Sequence, residues 1–170
     1  MKSKRLSLLV LSAMFCALIF ILTWFAIPTP VVGNVNLGDG MILLAAWLLG
    51  GPWAIAAAGL GAALCDLAAG YAIYAPATLL IKALMVLTVL GVESLFPKGK
   101  RCSRTVRLLG GVVAECVMAL GYFAFESTVM GYGWGALANL PFNALQGACG
   151  IIVAMLVYEL LAHAGFSKKQ

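Results

Sequence analysis

Asn36 to Lys82 reads NLGDGMILLAAWLLGGPWAIAAAGLGAALCDLAAGYAIYAPATLLIK, and this stretch decides the class of the fold. It opens with Asn36-Leu37-Gly38-Asp39-Gly40, runs through two closely joined apolar segments, and closes with Tyr71-Ala72-Ile73-Tyr74-Ala75-Pro76 ahead of Lys82. Asp66 and Lys82 lie inside apolar runs that otherwise read as membrane. An ionisable side chain near a bilayer centre costs roughly 2.5–3.5 kcal/mol on insertion scales, so such residues face a protein interior or a water-filled cavity. The first expectation for the pair is a functional site. The competing expectation is a neutralised Asp66–Lys82 pair that only fixes the contact between two helices.

Composition agrees with the membrane reading. The chain of 170 residues is 64% hydrophobic and 10% charged, against roughly 45–50% and 25% in soluble domains. That length holds one membrane domain and leaves no room for a sizeable soluble enzyme domain beside it. Of the eleven Lys and Arg residues, all but Lys82 fall in three clusters: Lys2, Lys4 and Arg5; Lys98, Lys100, Arg101, Arg104 and Arg107; Lys168 and Lys169. Positive clusters between apolar spans mark cytoplasmic loops and attract anionic lipid. No basic face of a soluble fold is visible, so nucleic acid is not an expected partner. The five cysteines, Cys16, Cys65, Cys102, Cys116 and Cys149, show no CxxC spacing, and His163 is the sole histidine. They predict buried small hydrophobes and no metal or haem site.

The segment from Leu6 to Ile27 follows a basic start. Its apolar run of about 20 residues exceeds a signal-peptide core and matches a span. Ala13 and Ala17 lie four apart on one face, with Ser12 alongside, and small residues at that spacing permit close helix approach, within the chain or with a partner. Pro28, Pro30 and Gly33 end the helix and start an outside loop. The next apolar segment, Gly40 to Leu49, is only about 10 residues long, short of the roughly 17–25 of a full span. Two cytoplasmic basic clusters on either side of it require an even number of crossings, so it is expected to count as one. The expectation is an all-α integral membrane protein, a single domain over 1–170. It is a six-helix transmembrane bundle with both termini cytoplasmic and helices over about 6–27, 39–50, 53–70, 76–96, 107–128 and 138–163.

Polar residues within the apolar runs share one half of that bundle. Asp66, Lys82, Tyr122, Glu126, Asn139, Asn143 and Gln146 map to the outer side, near loops containing Tyr71, Tyr74, Tyr132 and Trp134. Glu115, Ala119, Tyr122 and Glu126 recur at helical spacing, which turns both acids away from lipid. Asn139, Asn143 and Gln146 at i, i+4 and i+7 make a stripe of amides on one helix face. A pocket with aromatic walls and a few convergent polar groups suits a small heteroaromatic ligand. The competing expectations are interhelical hydrogen bonds for the amides and an interfacial belt for the aromatics. No GxSxG, HExxH or GxxxxGK[ST] occurs, so neither catalysis nor ATP hydrolysis is expected of this chain.

The chain also resembles the substrate-binding S components of energy-coupling factor (ECF) vitamin transporters, most closely the riboflavin-type and related branch. The likeness rests on Leu37-Gly38-Asp39-Gly40, Leu49-Gly50-Gly51-Pro52, Asp66 with Gly70 to Thr78, Lys82, Gly121-Tyr122-Phe123 with Glu126, and Asn139 to Gln146. It implies a protein of the prokaryotic plasma membrane that captures a vitamin or precursor at its outer face and works with a transmembrane T component and two cytoplasmic ATPases. It further implies that Ala13 and Ala17 dock the T component, as an AxxxA on helix 1 does in that family. On this reading the substrate-binding set is Asp66, Tyr74, Lys82, Tyr122, Glu126, Trp134, Asn139, Asn143 and Gln146, with no cofactor and no metal. The ligand class is riboflavin-, pyridoxine- or pyrimidine-like. The alternative is a self-sufficient transporter in which Asp66, Lys82, Glu115 and Glu126 relay protons.

Overall fold

Prolines set the start of three helices. Pro52, Pro76 and Pro141 each occupy the first turn of a helix, where the missing N–H is not needed and the fixed φ suits the helix. The computed structural model describes residues 2–29, 34–101 and 103–165. Among these the elements are α1 (Lys2–Trp24), α2 (Gly38–Leu48), α3 (Gly51–Ala68), α4 (Ala75–Ser94), α5 (Arg104–Thr128) and α6 (Leu140–His163). Pro30, Gly33, Cys102, Lys168 and Lys169, which carry expectations above, lie outside the described residues.

Among the described residues the regular structure is helical apart from one small feature absent from the expectation. Ile27–Pro28 (β1) and Asn34–Val35 (β2) form a short antiparallel ladder, Ile27 opposite Val35 and Pro28 opposite Asn34. The ladder ties the chain after α1 to the chain before α2. Two further departures have local causes. Helix α5 begins at Arg104, ahead of the expected 107, because the Ser103 hydroxyl caps it by accepting from Val106 N–H at 3.3 Å. Helix α6 begins at Leu140, preceded by a 3₁₀ segment over Gly133–Asn139 where a loop was expected. The turn between α2 and α3 is made by Gly50 and Gly51 at φ 64° and 56°, a left-handed conformation that glycine adopts without a Cβ clash.

Among the described residues five helical segments are long and apolar enough to cross a membrane: Lys4–Trp24, Gly51–Ala68, Ala75–Ser94, Arg104–Thr128 and Gly133–His163. Helix α2, with 11 residues, spans only about 16 Å at 1.5 Å per residue. Every residue of it from Gly38 to Trp47 is buried, the signature of a helix that is apolar on all sides. It touches α1, α3, α4 and α6 and is therefore the central element. Around it α1 packs on α3, α3 on α4, α4 on α5 and α5 on α6. The core joins Ile19 of α1, Ile42 and Leu43 of α2, Met85 and Val89 of α4, and Met118 of α5. The opposite face of α1 presents Leu6, Leu9, Val10, Met14, Leu18 and Ile21 outward.

Close approach of α1 and α3 depends on Gly61, where an added Cβ would lie 2.6 Å from the Cys16 carbonyl oxygen and 3.1 Å from Ile19. A backbone oxygen cannot rotate away. Gly61→Ala is expected to destabilise the protein by about 1–3 kcal/mol. Gly91→Ala in α4, where nothing lies within 4 Å, should be neutral or stabilising by about 0.4–1 kcal/mol. Thermal unfolding of the two variants in the same detergent measures the contrast.

Candidate functional site

The site grows from the first turn of α2. Asn36 turns the chain into the helix by accepting from Gly38 N–H through its side-chain oxygen at 2.9 Å. Gly38 has no room for a side chain there, since a Cβ would collide with the Thr23 hydroxyl and approach Asn36 Oδ1 at 2.9 Å. Asp39 follows in the first turn, where the free N–H groups of a helix favour negative charge. Its carboxylate is fully buried and is held from two sides. Lys82 Nζ of α4 donates to Oδ1 at 2.5 Å, and Gln146 Nε2 of α6 donates to Oδ2 at 2.5 Å. Gln146 Oε1 in turn accepts from the backbone N–H of Asn36 at 2.9 Å. The amide orientation of Gln146 is fixed by needing a donor toward the carboxylate and an acceptor toward the N–H.

The expected partner of Lys82 is thus corrected. Lys82 pairs with Asp39, and Asp66 stands apart from the pair with its Oδ2 buried and without a hydrogen-bond partner. Asp66 lies on α3, whose neighbour α4 offers it Thr78 as the nearer polar group, and Thr78 shares a hydrogen bond of 3.1 Å with the Tyr122 hydroxyl. The Lys82 ammonium also sits 5.3 Å from the centroid of the Tyr122 ring, within cation–π range. On α5, Glu126 is buried and accepts from Asn139 Nδ2 at 2.9 Å. Tyr74 stacks edge-on against Phe125 with centroids 5.3 Å apart and against Tyr71 at 6.5 Å. Burial raises the Tyr74 phenol above its usual range, with Glu126 adding to the effect.

These groups line one cavity of about 280 Å³. Eight of the sequence-predicted residues are in its wall: Asp66, Tyr74, Lys82, Tyr122, Glu126, Asn139, Asn143 and Gln146. Trp134, grouped with them in the sequence, is outside it. Its side chain is 82% exposed and tilts against Phe123 at 6.5 Å. Sequence reasoning missed the contribution of the α1 end and the ladder, where Thr23, Trp24, Pro28, Asn34 and Asn36 complete the wall. It also missed Asp39, the anchor of Lys82. The available signal was an acid in the first turn of an all-apolar helix, flanked by two glycines. Glu115 is inward as expected but does not line the cavity. Its carboxyl packs behind Asp39 against α6, close enough that a Cβ on Gly147 or Gly150 would approach its oxygens at 3.1–3.2 Å. Among the described residues no cluster of His, Cys, Asp and Glu is placed to hold a metal ion.

The cavity is a chamber of aromatic and polar walls with acceptors and amides at fixed positions, suited to holding a small molecule. Ala13 and Ala17 lie elsewhere, on the exposed side of α1. The neighbouring Ser12 is turned inward and donates to the Trp53 carbonyl at 2.8 Å.

Comparison with known proteins bears on the whole chain. The sequence profile of the family described as "ECF-type riboflavin transporter, S component" matches residues 4–163. A Pyrococcus woesei protein described as "Uncharacterized protein in gap 3'region" is 38% identical over 132 residues, covering 75% of this chain and 82% of that protein. Among solved structures, the S component of a bacterial ECF transporter superposes with a TM-score of 0.75 at 24% identity, over 96% of this chain and 98% of the other. At that identity the superposition establishes the fold.

Removing one member of the buried pair leaves an uncompensated charge, which costs about 3–5 kcal/mol, whereas replacing both can be nearly neutral. Asp39→Asn and Lys82→Met are each expected to destabilise strongly, and the double variant to recover most of the loss. The same cycle between Asp66→Asn and Lys82→Met should be much closer to additive. Chemical or thermal unfolding of the two cycles in detergent gives both coupling energies, and equal coupling in the two would remove Asp39 from its assigned role.

Proposed function

Because this chain belongs to the ECF-type riboflavin transporter S component family, a family of membrane-embedded substrate-binding transport subunits and not of enzymes, we propose that the cavity is its vitamin site. It is reached from outside the cell. The observation that carries the reading is the cavity: a chamber of about 280 Å³ that collects Asp66, Glu126, Tyr74, Tyr122 and the amides of Asn139 and Asn143 inside an otherwise apolar bundle. Burying so many polar groups in a membrane protein is expensive unless they are used. A water-soluble vitamin or precursor with a heteroaromatic ring fits the mixture of aromatic walls and convergent polar groups.

In this reading all six helices count as crossings, α2 being the short central one, and both termini are cytoplasmic in the plasma membrane. The basic run around Lys98 to Arg107 then lies on the cytoplasmic side, where Arg107 stacks on Tyr158 at 3.9 Å and Arg104 pairs with Glu159 at 3.2 Å. The chamber lies at the opposite end, toward the outside. Capture and energy supply are divided. This chain binds the ligand, and a transmembrane T component with two cytoplasmic ATPases moves it. The exposed strip of Ala13 and Ala17 on α1 is the proposed contact with the T component, since small residues let a partner helix come close.

Three outcomes test the proposal. The purified chain should bind and retain a vitamin or vitamin precursor without ATP, as identified by mass spectrometry of the extracted protein. Reconstituted alone in liposomes it should show no gradient-driven uptake; uptake by this chain alone would instead support a self-sufficient proton-coupled transporter. Ala13→Trp and Ala17→Trp should abolish uptake in cells and co-purification with the T component while leaving ligand binding by the isolated chain intact. The added bulk faces away from the cavity and costs about 1–3 kcal/mol only where a helix must pack against it. Normal complex formation and uptake in both variants would move the docking surface elsewhere.

A further inference from the structure

The charges inside the bundle do not balance. Of the six Asp and Glu residues in the chain, four lie in the interior or the cavity wall, Asp39, Asp66, Glu115 and Glu126. Among the described residues that line the cavity, Lys82 is the sole basic one. Its ammonium is already paired with Asp39 at 2.5 Å, so one positive charge faces three carboxyls, Asp39, Asp66 and Glu126. Asp66 presents a buried oxygen with no hydrogen-bond partner. Glu126 is 3% exposed, and the hydrogen bond it receives from Asn139 is from a neutral amide. Tyr74 and Tyr122 flank this acidic surface, and aromatic faces attract cations.

From this we propose that the ligand is a compact nitrogen heteroaromatic that carries a positive charge when bound, such as an aminomethyl-pyridine through its ammonium or an amino-pyrimidine protonated on a ring nitrogen. Asp66 and Glu126 are its counter-ions. The inference rests on the reading of the cavity as the vitamin site and selects within it. A carboxylate left without a cation in a low-dielectric chamber is costly, and a ligand ammonium supplies a charge-assisted hydrogen bond about twice as strong as a neutral one. Size points the same way. A chamber of about 280 Å³ is at or below the small end of ligand pockets, which run from roughly 300 to 1,000 Å³. It favours a single ring over a fused tricyclic flavin with a polyhydroxyl tail.

The test uses the full chain purified in detergent and isothermal titration with a matched pair, pyridoxamine and pyridoxine. The pair differ by an aminomethyl group in place of a hydroxymethyl group. Riboflavin, thiamine and 4-amino-5-hydroxymethyl-2-methylpyrimidine are titrated beside them. The expected result is that a cationic or protonatable amine ligand binds tightest, that pyridoxamine exceeds pyridoxine by about tenfold or more, and that riboflavin is weak. Asp66→Asn and Glu126→Gln should each shrink the preference for pyridoxamine over pyridoxine. Should either variant fail to fold, the matched pair on the wild-type chain still decides. Tight riboflavin binding with no preference for the amine would overturn the charge assignment and leave the vitamin site standing. A preference for the amine that survives both substitutions would overturn the roles of Asp66 and Glu126. Binding of none of the five ligands would overturn both the inference and the reading of the cavity as a vitamin site.

Discussion

The structure depends on one buried charge, the carboxylate of Asp39. It has no exposure to solvent, and a charge so placed is tolerated only when its hydrogen-bonding capacity is filled and an opposite charge is close. Both conditions are met by residues from distant parts of the chain, Lys82 from α4 and Gln146 from α6, each at 2.5 Å. The first turn of α2 adds the favourable end of a helix dipole. This arrangement pins three helices at one point. It also explains why that point is crowded with glycine: a Cβ on Gly150 would lie 3.2 Å from Asp39 Cβ, and one on Gly40 would lie 3.2 Å from the Gly150 carbonyl oxygen. The hydrogen bond from Gln146 to Asp39 can be short only because the backbones of α2 and α6 come together without side chains between them.

From that constraint follows the position of the cavity. Helix α2 is too short to fill the bundle from end to end, and its N-terminus stops at Asp39. The space beyond it is bounded by α3, α4, α5 and α6 and by the chain joining α1 to α2. The Asp39–Lys82–Gln146 network contributes Lys82 and Gln146 to the wall. The short ladder after α1 contributes Pro28 and Asn34. A single short helix thus does two things: it buries itself completely as the core, and by ending early it leaves a chamber above itself.

Much of this was legible in the sequence, for reasons that can be named residue by residue. Apolar runs and the basic clusters between them placed the six helical segments without tertiary information, and Pro52, Pro76 and Pro141 account through their own backbone chemistry for where three of them start. The inward direction of Glu126, Gln146 and Lys82 followed from the cost of placing them in lipid. What periodicity could not supply was pairing. Asp66 and Lys82 are neighbours in hydropathy and lie on adjacent helices, yet the lysine crosses to Asp39, 43 positions away in the chain. In the sequence, Gly38-Asp39-Gly40 has the composition of a turn, which masks the one signal its acid carries, a place at the start of an all-apolar helix. Only the packing of α6 over it, permitted by Gly147 and Gly150, makes it the most buried acid of the protein. Trp134 failed in the opposite sense: an aromatic in a Gly-rich loop carries no directional signal, and the 3₁₀ segment turns it outward.

The same distinction bears on what the fold shares with related proteins and what is particular to this chain. Superposition on a bacterial S component over nearly all of both chains, at 24% identity, shows that the helical arrangement survives extensive replacement of its side chains. The packing requirements at Gly61, Gly147 and Gly150 concern backbone distances and are independent of any ligand. The wall residues Asp66 and Asn143 are under no such demand, because an apolar residue of similar size would pack in a membrane bundle at lower cost than an acid or amide. Their presence therefore needs a reason beyond folding, whereas Asp39, Lys82 and Gln146 already have one in each other. Under the proposed function, ligand identity is read by the polar groups that the scaffold leaves incompletely paired. In this chain the plainest of them is Asp66, whose Oδ2 is buried and without a hydrogen-bond partner.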